Sequence, residues 1–306
     1  MKDSSLRSER GMALTELALL LLALMGSLAL VVDIGRAYAE RWRMQNAADA
    51  AALAGTRALY LGGEAQAQQV AAEYAQRNGA GNAVVTVDPA QQTVRVEAET
   101  VFPTFVATIL GIDTLAANNP AAAIHCAVSE MSAGVYPIAV DWQDFQFGQE
   151  YDIYAGGGPG NFGWLTWAGS PSVPTLCTSL TPPGDSETFV DAHLPCGCYG
   201  DGILNIGDWV QGKPGISNSS CVRAKLDWFV STQTPMTIVV WDAVEGSGNN
   251  VNYRVAGFAQ FVLVSYRLPG QNRITGRFIQ WMIPTTKIDC GPGAPDYGVY
   301  GMKLSE

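Results

Sequence analysis

Histidine is nearly missing from this chain: His125 and His193 are the only two. Neither a G-x-S-x-G elbow nor an H-E-x-x-H pair occurs, so the usual hydrolytic triad and zinc-protease arrangements have no residues to stand on. Basic residues are also scarce, 18 against 28 acidic ones, and the formal charge is −10. A chain so short of cations has little with which to neutralise phosphates, which excludes nucleic acid as a partner. Charge is thin altogether, at 15% of residues against 48% hydrophobic, so 306 residues suffice to bury a sizeable core. Cysteine is absent ahead of residue 126, and proline gathers mostly after residue 100.

What is present begins with an apolar run. Residues 1–11 are short, polar and charged, and residues 12–32 carry Glu16 as their only charge. About 20 apolar residues span a bilayer. A secretory signal has an apolar region of roughly 7–15 residues that ends at a cleavage site. Here the run passes without a proline into a helix-forming stretch at 34–61, which favours an anchor. Glu16 is then the odd residue, because a carboxylate inside an apolar helix costs roughly 2.5–3.5 kcal/mol even on lenient insertion scales. It needs either a route to water at the helix start or a partner.

Beyond the run, 100° per residue places Arg36, Glu40 and Arg43 on one helix face. Ile34, Ala37, Tyr38, Ala48, Ala52 and Leu59 fall opposite, which predicts an apolar face interrupted by Arg41. The alanines at 47, 48, 50, 51, 52 and 54 make a slim helix, suited to close approach by a neighbouring helix.

All six cysteines (Cys126, Cys177, Cys196, Cys198, Cys221 and Cys290) follow the apolar segment. An even count on one side of a membrane segment predicts disulfides in an oxidising compartment, and six thiols allow fifteen pairings. The flanking positive charges, Lys2, Arg7 and Arg10 against Arg36, Arg41 and Arg43, leave orientation tied. The cysteines break the tie and place the C-terminal part outside the cytoplasm. His193-x-x-Cys196-x-Cys198 with Cys221 offers four zinc ligands in number, but not the spacing of a finger. The glycines at 156–158 and 160 precede no Lys-Ser/Thr pair and read as a loop. Asp201 to Asp208 lacks oxygen ligands ahead of it, where Cys196, Cys198 and Tyr199 stand, and reads as turn–strand–turn. No catalytic residue, metal ligand or cofactor is expected, and the chain does not read as an enzyme.

Gly11-Met12-Ala13-Leu14-Thr15-Glu16 resembles a prepilin peptidase site, cut between Gly11 and Met12, with Glu16 fifth in the mature chain. Val32-Asp33-Ile34-Gly35-Arg36, followed by Met44-Gln45-Asn46-Ala47-Ala48-Asp49-Ala50-Ala51-Ala52-Leu53-Ala54-Gly55, resembles the signature of the TadE/TadG-like Flp (Tad) pilus-assembly proteins, more the TadG branch. The resemblance implies a minor-pilin-like or assembly protein of the cytoplasmic membrane, single-pass, with an extracytoplasmic head and a place in a cell-surface pilus. It implies other Tad and pseudopilin subunits as partners, met through the N-terminal helix at Glu16, Asp33, Gln45, Asn46 and Asp49, with prepilin peptidase acting on the leader. The alternative is an anchored, adhesin-like surface module. More loosely, Phe102-Pro103-Thr104-Phe105 and Leu110-Gly111-Ile112 resemble the small Tad ectodomain, and Gly160 to Leu165 a motif of large TadG-related ectodomains.

The fold class expected is α+β: a long N-terminal transmembrane helix, a small α/β region, and a β-rich extracytoplasmic domain. The divisions read as 1–11 leader, 12–62 helix, 63–130 small ectodomain and 135–306 β-rich domain. A second helix is predicted at 64–77, strands at 83–87 and 93–99, and a short helix at 104–110. Strands follow at 238–241, 253–266 and 274–283, with a helix at 222–230. Seven of the eight tryptophans fall in the last part, as core and strand-face residues.

Overall fold

The computed structural model describes residues 3–143, 145–153, 161–167, 172–193, 202–215, 218–268, 273–283, 285, 287–291 and 295–305. The class is α+β, and the chain divides into two compact units, residues 1–124 with 304–306, and residues 125–303.

The first unit is built on one helix. α1 (Asp3–Gly62) runs sixty residues with no proline to break it. It ends at Gly62, and Gly63 takes a positive φ of 81° before α2 (Glu64–Arg77) folds back along it. Three antiparallel strands follow, β1 (Asn82–Asp88), β2 (Thr93–Pro103) and β3 (Thr114–Val128), in that spatial order, and β3 passes on into the second unit. On β2, Val94, Val96 and Ala98 turn inward while Arg95 and Glu97 face water, the period-2 alternation the sequence predicts.

Both helices lie on the inward face of these strands in a core made largely of alanine. Ala47, Ala48, Ala51 and Ala52 of α1 meet Ala67, Ala71 and Ala75 of α2, with Met44, Leu59, Val94, Val96 and Phe102 supplying the bulk. Small side chains bury little area each, so this core gains by letting backbones approach closely. Gly55 marks the tightest point: a Cβ there would stand 2.9 Å from Ala71 Cβ and 2.9 Å from Val94 Cγ1. Thr56, fully buried, donates its hydroxyl to the Ala123 carbonyl at 3.1 Å and so ties α1 to β3.

This bears out the apolar face of α1 at Ala48, Ala52 and Leu59 and corrects it at Ile34 and Tyr38. The covered stripe runs through Asp33, Met44, Ala47, Ala48 and Ala51, with Arg36, Ala37 and Glu40 half-buried beside it, whereas Ile34 and Tyr38 are 60% and 64% exposed. Hydrophobicity alone puts Ile34 and Tyr38 inside. The structure covers instead the side on which small residues let α2 and the sheet approach. The alanine run receives a neighbouring helix as expected, and that helix is α2 of the same chain.

The second unit is β-rich. Its elements in chain order are β4 (Glu130–Met131), β5 (Val135–Asp141), β6 (Glu150–Ile153), β7 (Asn161–Leu165), α3 (Val173–Ser179), β8 (Leu204–Asn205), β9 (Trp209–Pro214), α4 (Ser220–Thr232), β10 (Met236–Glu245), β11 (Asn252–Arg267), β12 (Arg273–Ile279), β13 (Trp281–Met282), β14 (Ile288–Asp289) and β15 (Val299–Ser305), the last of which ends in the first unit. Seven strands form one sheet in the order β10-β5-β7-β9-β11-β12-β6, and β10 also pairs with β11. That extra pairing closes five strands on themselves and removes two open edges. The strand expected at 274–283 is split into β12 and β13.

Two apolar clusters occupy this unit. Ile138, Trp164, Phe229, Ile238, Phe261 and Phe278 belong to one, and Ala139, Leu165, Trp167, Val239, Tyr253 and Phe258 to the other. Neighbours along β5, β7 and β10 thus enter different clusters, which is why each strand carries consecutive apolar residues, Ile138-Ala139, Trp164-Leu165 and Ile238-Val239. Ser219 caps α4, its hydroxyl oxygen accepting from the Val222 N–H at 3.2 Å. Two disulfides join described cysteines. Cys126–Cys290 brings together residues 164 apart in sequence, and Cys177–Cys221 ties α3 to α4 across a separation of 44. Cys196 and Cys198 lie outside the described residues, as do the glycines at 156–158 and 160.

Candidate anchoring and assembly helix

The exposed half of α1 carries the site. From Leu17 to Val32 the large side chains that are described lie bare, Leu22 at 68% and Met25 at 70% exposure among them. Among the described residues this is the one helix long and apolar enough to cross a membrane. At 1.5 Å per residue, residues 12–32 extend roughly 30 Å, the thickness of a bilayer's hydrocarbon core. Glu16 sits exposed near the start of this stretch. Gly11 and Met12 fall within α1, and their side chains lie outside the described ones.

Asp33, the first residue after the run, is 4% exposed and engages its own chain. Its Oδ1 accepts from the Phe105 N–H at 2.8 Å, and its Oδ2 from Val106 at 2.9 Å and Ala107 at 2.8 Å. These amides open a 3-10 turn, Ala107–Leu110, whose first N–H groups have no partner within the turn. A carboxylate there satisfies them and meets the positive end of the turn's dipoles. One turn further on, the Arg36 guanidinium lies 5.6 Å from the centre of the Phe102 ring and 5.0 Å from that of Phe105. Asp33 and Arg36 together clamp the β2–β3 loop to the helix just past the apolar run. The expected helix at 104–110 thus proves to be this shorter turn, ended by Gly111 at φ 80°, a conformation glycine adopts without steric cost.

The other residues assigned to partner contact are placed as follows. Gln45 Nε2 donates to Asp49 Oδ1 at 2.7 Å, and both border an open cleft of about 370 Å³ with Arg95, Pro120 and Ser305. Asn46 is exposed away from that pair. The structure therefore brings Gln45 and Asp49 together and keeps Glu16, Asp33 and Asn46 apart. Sequence reasoning marked Asp33 but missed its partners, which lie 72 to 74 residues away. Arg36 and Asn119, whose side-chain amide donates to the Arg41 carbonyl at 3.1 Å, were missed as clamps as well.

In the second unit, Cys221 is bonded to Cys177 and is withdrawn from any zinc set. His193 stacks on Trp209 with ring centres 4.7 Å apart, and its Nε2 meets Glu245. Hydrogen bonds from Asn252 and His193 hold the Glu245 carboxyl below its usual range. His125 is buried, and desolvation pushes its imidazole down to about 4 against a partial upward pull from Asp296.

These features define a class: a protein with one N-terminal helix fit to enter a membrane and a folded part clamped to that helix where the apolar run ends. Residues 11–73 match the Tad family, described as Flp pilus-assembly TadE/G-like. That match takes in the apolar run, Asp33, the alanine stripe and most of α2, and stops before the first strand. Neither the curated proteins nor the solved structures contain a match to the chain.

Proposed function

We propose that this chain is a membrane-anchored, minor-pilin-like or assembly component of the Tad (Flp) pilus. It is held in the cytoplasmic membrane by α1 and presents its folded units on the extracytoplasmic side. The observation that carries the proposal is the change of character of α1 at Asp33. Before that residue the described apolar side chains are bare, and from Met44 on the alanines at 47, 48, 51 and 52 are enclosed. A helix so divided leaves its N-terminal half for lipid and for the helices of other Tad and pseudopilin subunits. The family match over residues 11–73 supports the pilus assignment, and two disulfides in the second unit support an oxidising compartment for it.

In this reading prepilin peptidase cuts between Gly11 and Met12. The new amine then pairs with Glu16 of a neighbouring subunit, which offsets the cost of a carboxylate in an apolar setting. Gln45, Asn46 and Asp49 offer polar contacts to partners beyond the membrane. The test is the intact mass of the protein from native membranes, wild type against Gly11→Trp, with crosslinking of Glu16→Ala to other pilus subunits. The expected results are a mature chain starting at Met12, uncut Gly11→Trp, and Glu16→Ala that inserts but crosslinks poorly. An uncut wild type beside an active peptidase refutes processing, and unchanged crosslinking of Glu16→Ala refutes its pairing role. Normal pili with lost surface attachment in a deletion strain would favour the adhesin-like alternative.

A further inference from the structure

We propose that the β2–β3 loop, residues 104–112, is a second membrane contact, a foot that rests among lipid headgroups beside the emerging helix. The proposal rests on the reading that the apolar run of α1 lies in a bilayer.

The hairpin of β2 and β3 is laid along α1 with its tip toward that run. Three ties fix the direction. Thr56 bonds to Ala123, Asn119 to the Arg41 carbonyl, and Asp33 to the amides of Phe105, Val106 and Ala107. From residue 56 back to 33 is roughly 35 Å along a helix. From residue 123 back to 114 is roughly 30 Å along a strand, and the loop supplies the rest. Helix and hairpin therefore descend side by side, and the loop arrives at the level where the apolar run ends.

The tip carries apolar side chains and no charge. Residues 104–112 read TFVATILGI, in which Phe105 is 65% exposed, Ile109 82% and Ile112 47%. On the next turns of α1, Ile34, Tyr38 and Trp42 are bare too, and the last two meet edge-on at 6.2 Å. Tyrosine and tryptophan with apolar neighbours at the end of a membrane span are the composition of an interfacial belt.

Lipid, rather than a protein groove, is favoured by the loop's backbone. Entering a medium poor in water is costly for amides without partners. Here Asp33 takes the N–H groups of residues 105–107. Thr104 donates to Asp113, Ile109 to Val106, Gly111 to Thr108 and Ile112 to Ala107, at 2.9–3.0 Å. Seven of the loop's nine amides thus enter the interface already bonded, with Phe105, Ile109 and Ile112 turned outward.

The test places photoreactive benzoylphenylalanine, one site at a time, at Ile109, at Leu20 within the apolar run, and at Gln91 in the exposed turn at the opposite end of the hairpin. Each full-length chain is reconstituted in phosphatidylethanolamine–phosphatidylglycerol vesicles, irradiated, and analysed by mass for lipid adducts. Lipid adducts are expected at Leu20 and at Ile109, the latter about tenfold or more above Gln91. Adducts at Leu20 with Ile109 no better than Gln91, or with Ile109 joined only to a second copy of the chain, overturn the foot and leave the anchor standing. Absence of adducts at Leu20 overturns the anchor and the foot together.

Discussion

Gly55→Ala sets two effects of known size against each other. In a solvent-facing helix the change stabilises by roughly 1 kcal/mol, because alanine loses less backbone freedom than glycine. In this structure the added methyl would sit 2.9 Å from Ala71 Cβ and 2.9 Å from Val94 Cγ1. Carbon atoms prefer about 3.5–4.0 Å, so both contacts are short by more than half an ångström. Ala71 Cβ moves only with the α2 backbone, and Val94 is β-branched and stiff about χ1. Overpacking costs about 1–3 kcal/mol, and with neither neighbour free to give, the upper part of that range, about 2–3 kcal/mol, applies; after the propensity gain a net loss of about 1–2 kcal/mol is left. Hydrogen exchange of the full chain in detergent reads this directly. The α2 amides at 64–77 should exchange about 5–30 times faster in Gly55→Ala, with β10 and β11 of the second unit unchanged. Were the small-residue stripe uncovered and kept for a partner, the same substitution would slow exchange and raise the melting temperature, and that result would refute the packing described.

The Asp33 clamp makes a local prediction. Asp33→Asn keeps the shape but offers one accepting oxygen where two stand, so the amides of residues 105–107 should lose protection by about 10–100-fold, while unchanged exchange there would contradict the clamp. His125 predicts a pH dependence of the second unit. Its folded value near 4 lies below the ordinary 6.5, so the unfolded chain binds the proton more readily. Stability is then whole above about pH 6.5 and falls as pH drops toward 4. From pH 7 to 5 the loss should be about 1–2 kcal/mol after allowance for residual water, measured by denaturant unfolding. His125→Phe should flatten that slope, and an equal slope in the variant would clear His125 of the effect.

Much of the first unit can be read from residue patterns, because its determinants are local. The apolar run, the proline-free continuation and the alternation of Val94, Val96 and Ala98 are one-dimensional signals for a spanning helix and a half-buried strand. The second helix at 64–77 coincides with α2 for the same reason. Periodicity failed on α1 at Ile34 and Tyr38, where the sequence shows that a face is apolar but not what covers it. In the second unit the strands around 238 and 253 follow from β-branched and aromatic runs, but closure of β10 onto both β5 and β11 does not. β10 and β11 are sequence neighbours, but β5 and β10 lie about 100 residues apart, and no local pattern records that those edges meet. The same limit holds for the cysteines: their position predicted disulfides, but fifteen pairings were open until Cys126 met Cys290 and Cys177 met Cys221. Asp33 shows the division most clearly. A carboxylate directly after an apolar run must find donors or water, and this the sequence alone determines. That its donors are the amides of Phe105, Val106 and Ala107 was decided only by the tertiary fold, because it takes the whole β2–β3 hairpin, laid along the helix, to bring them there.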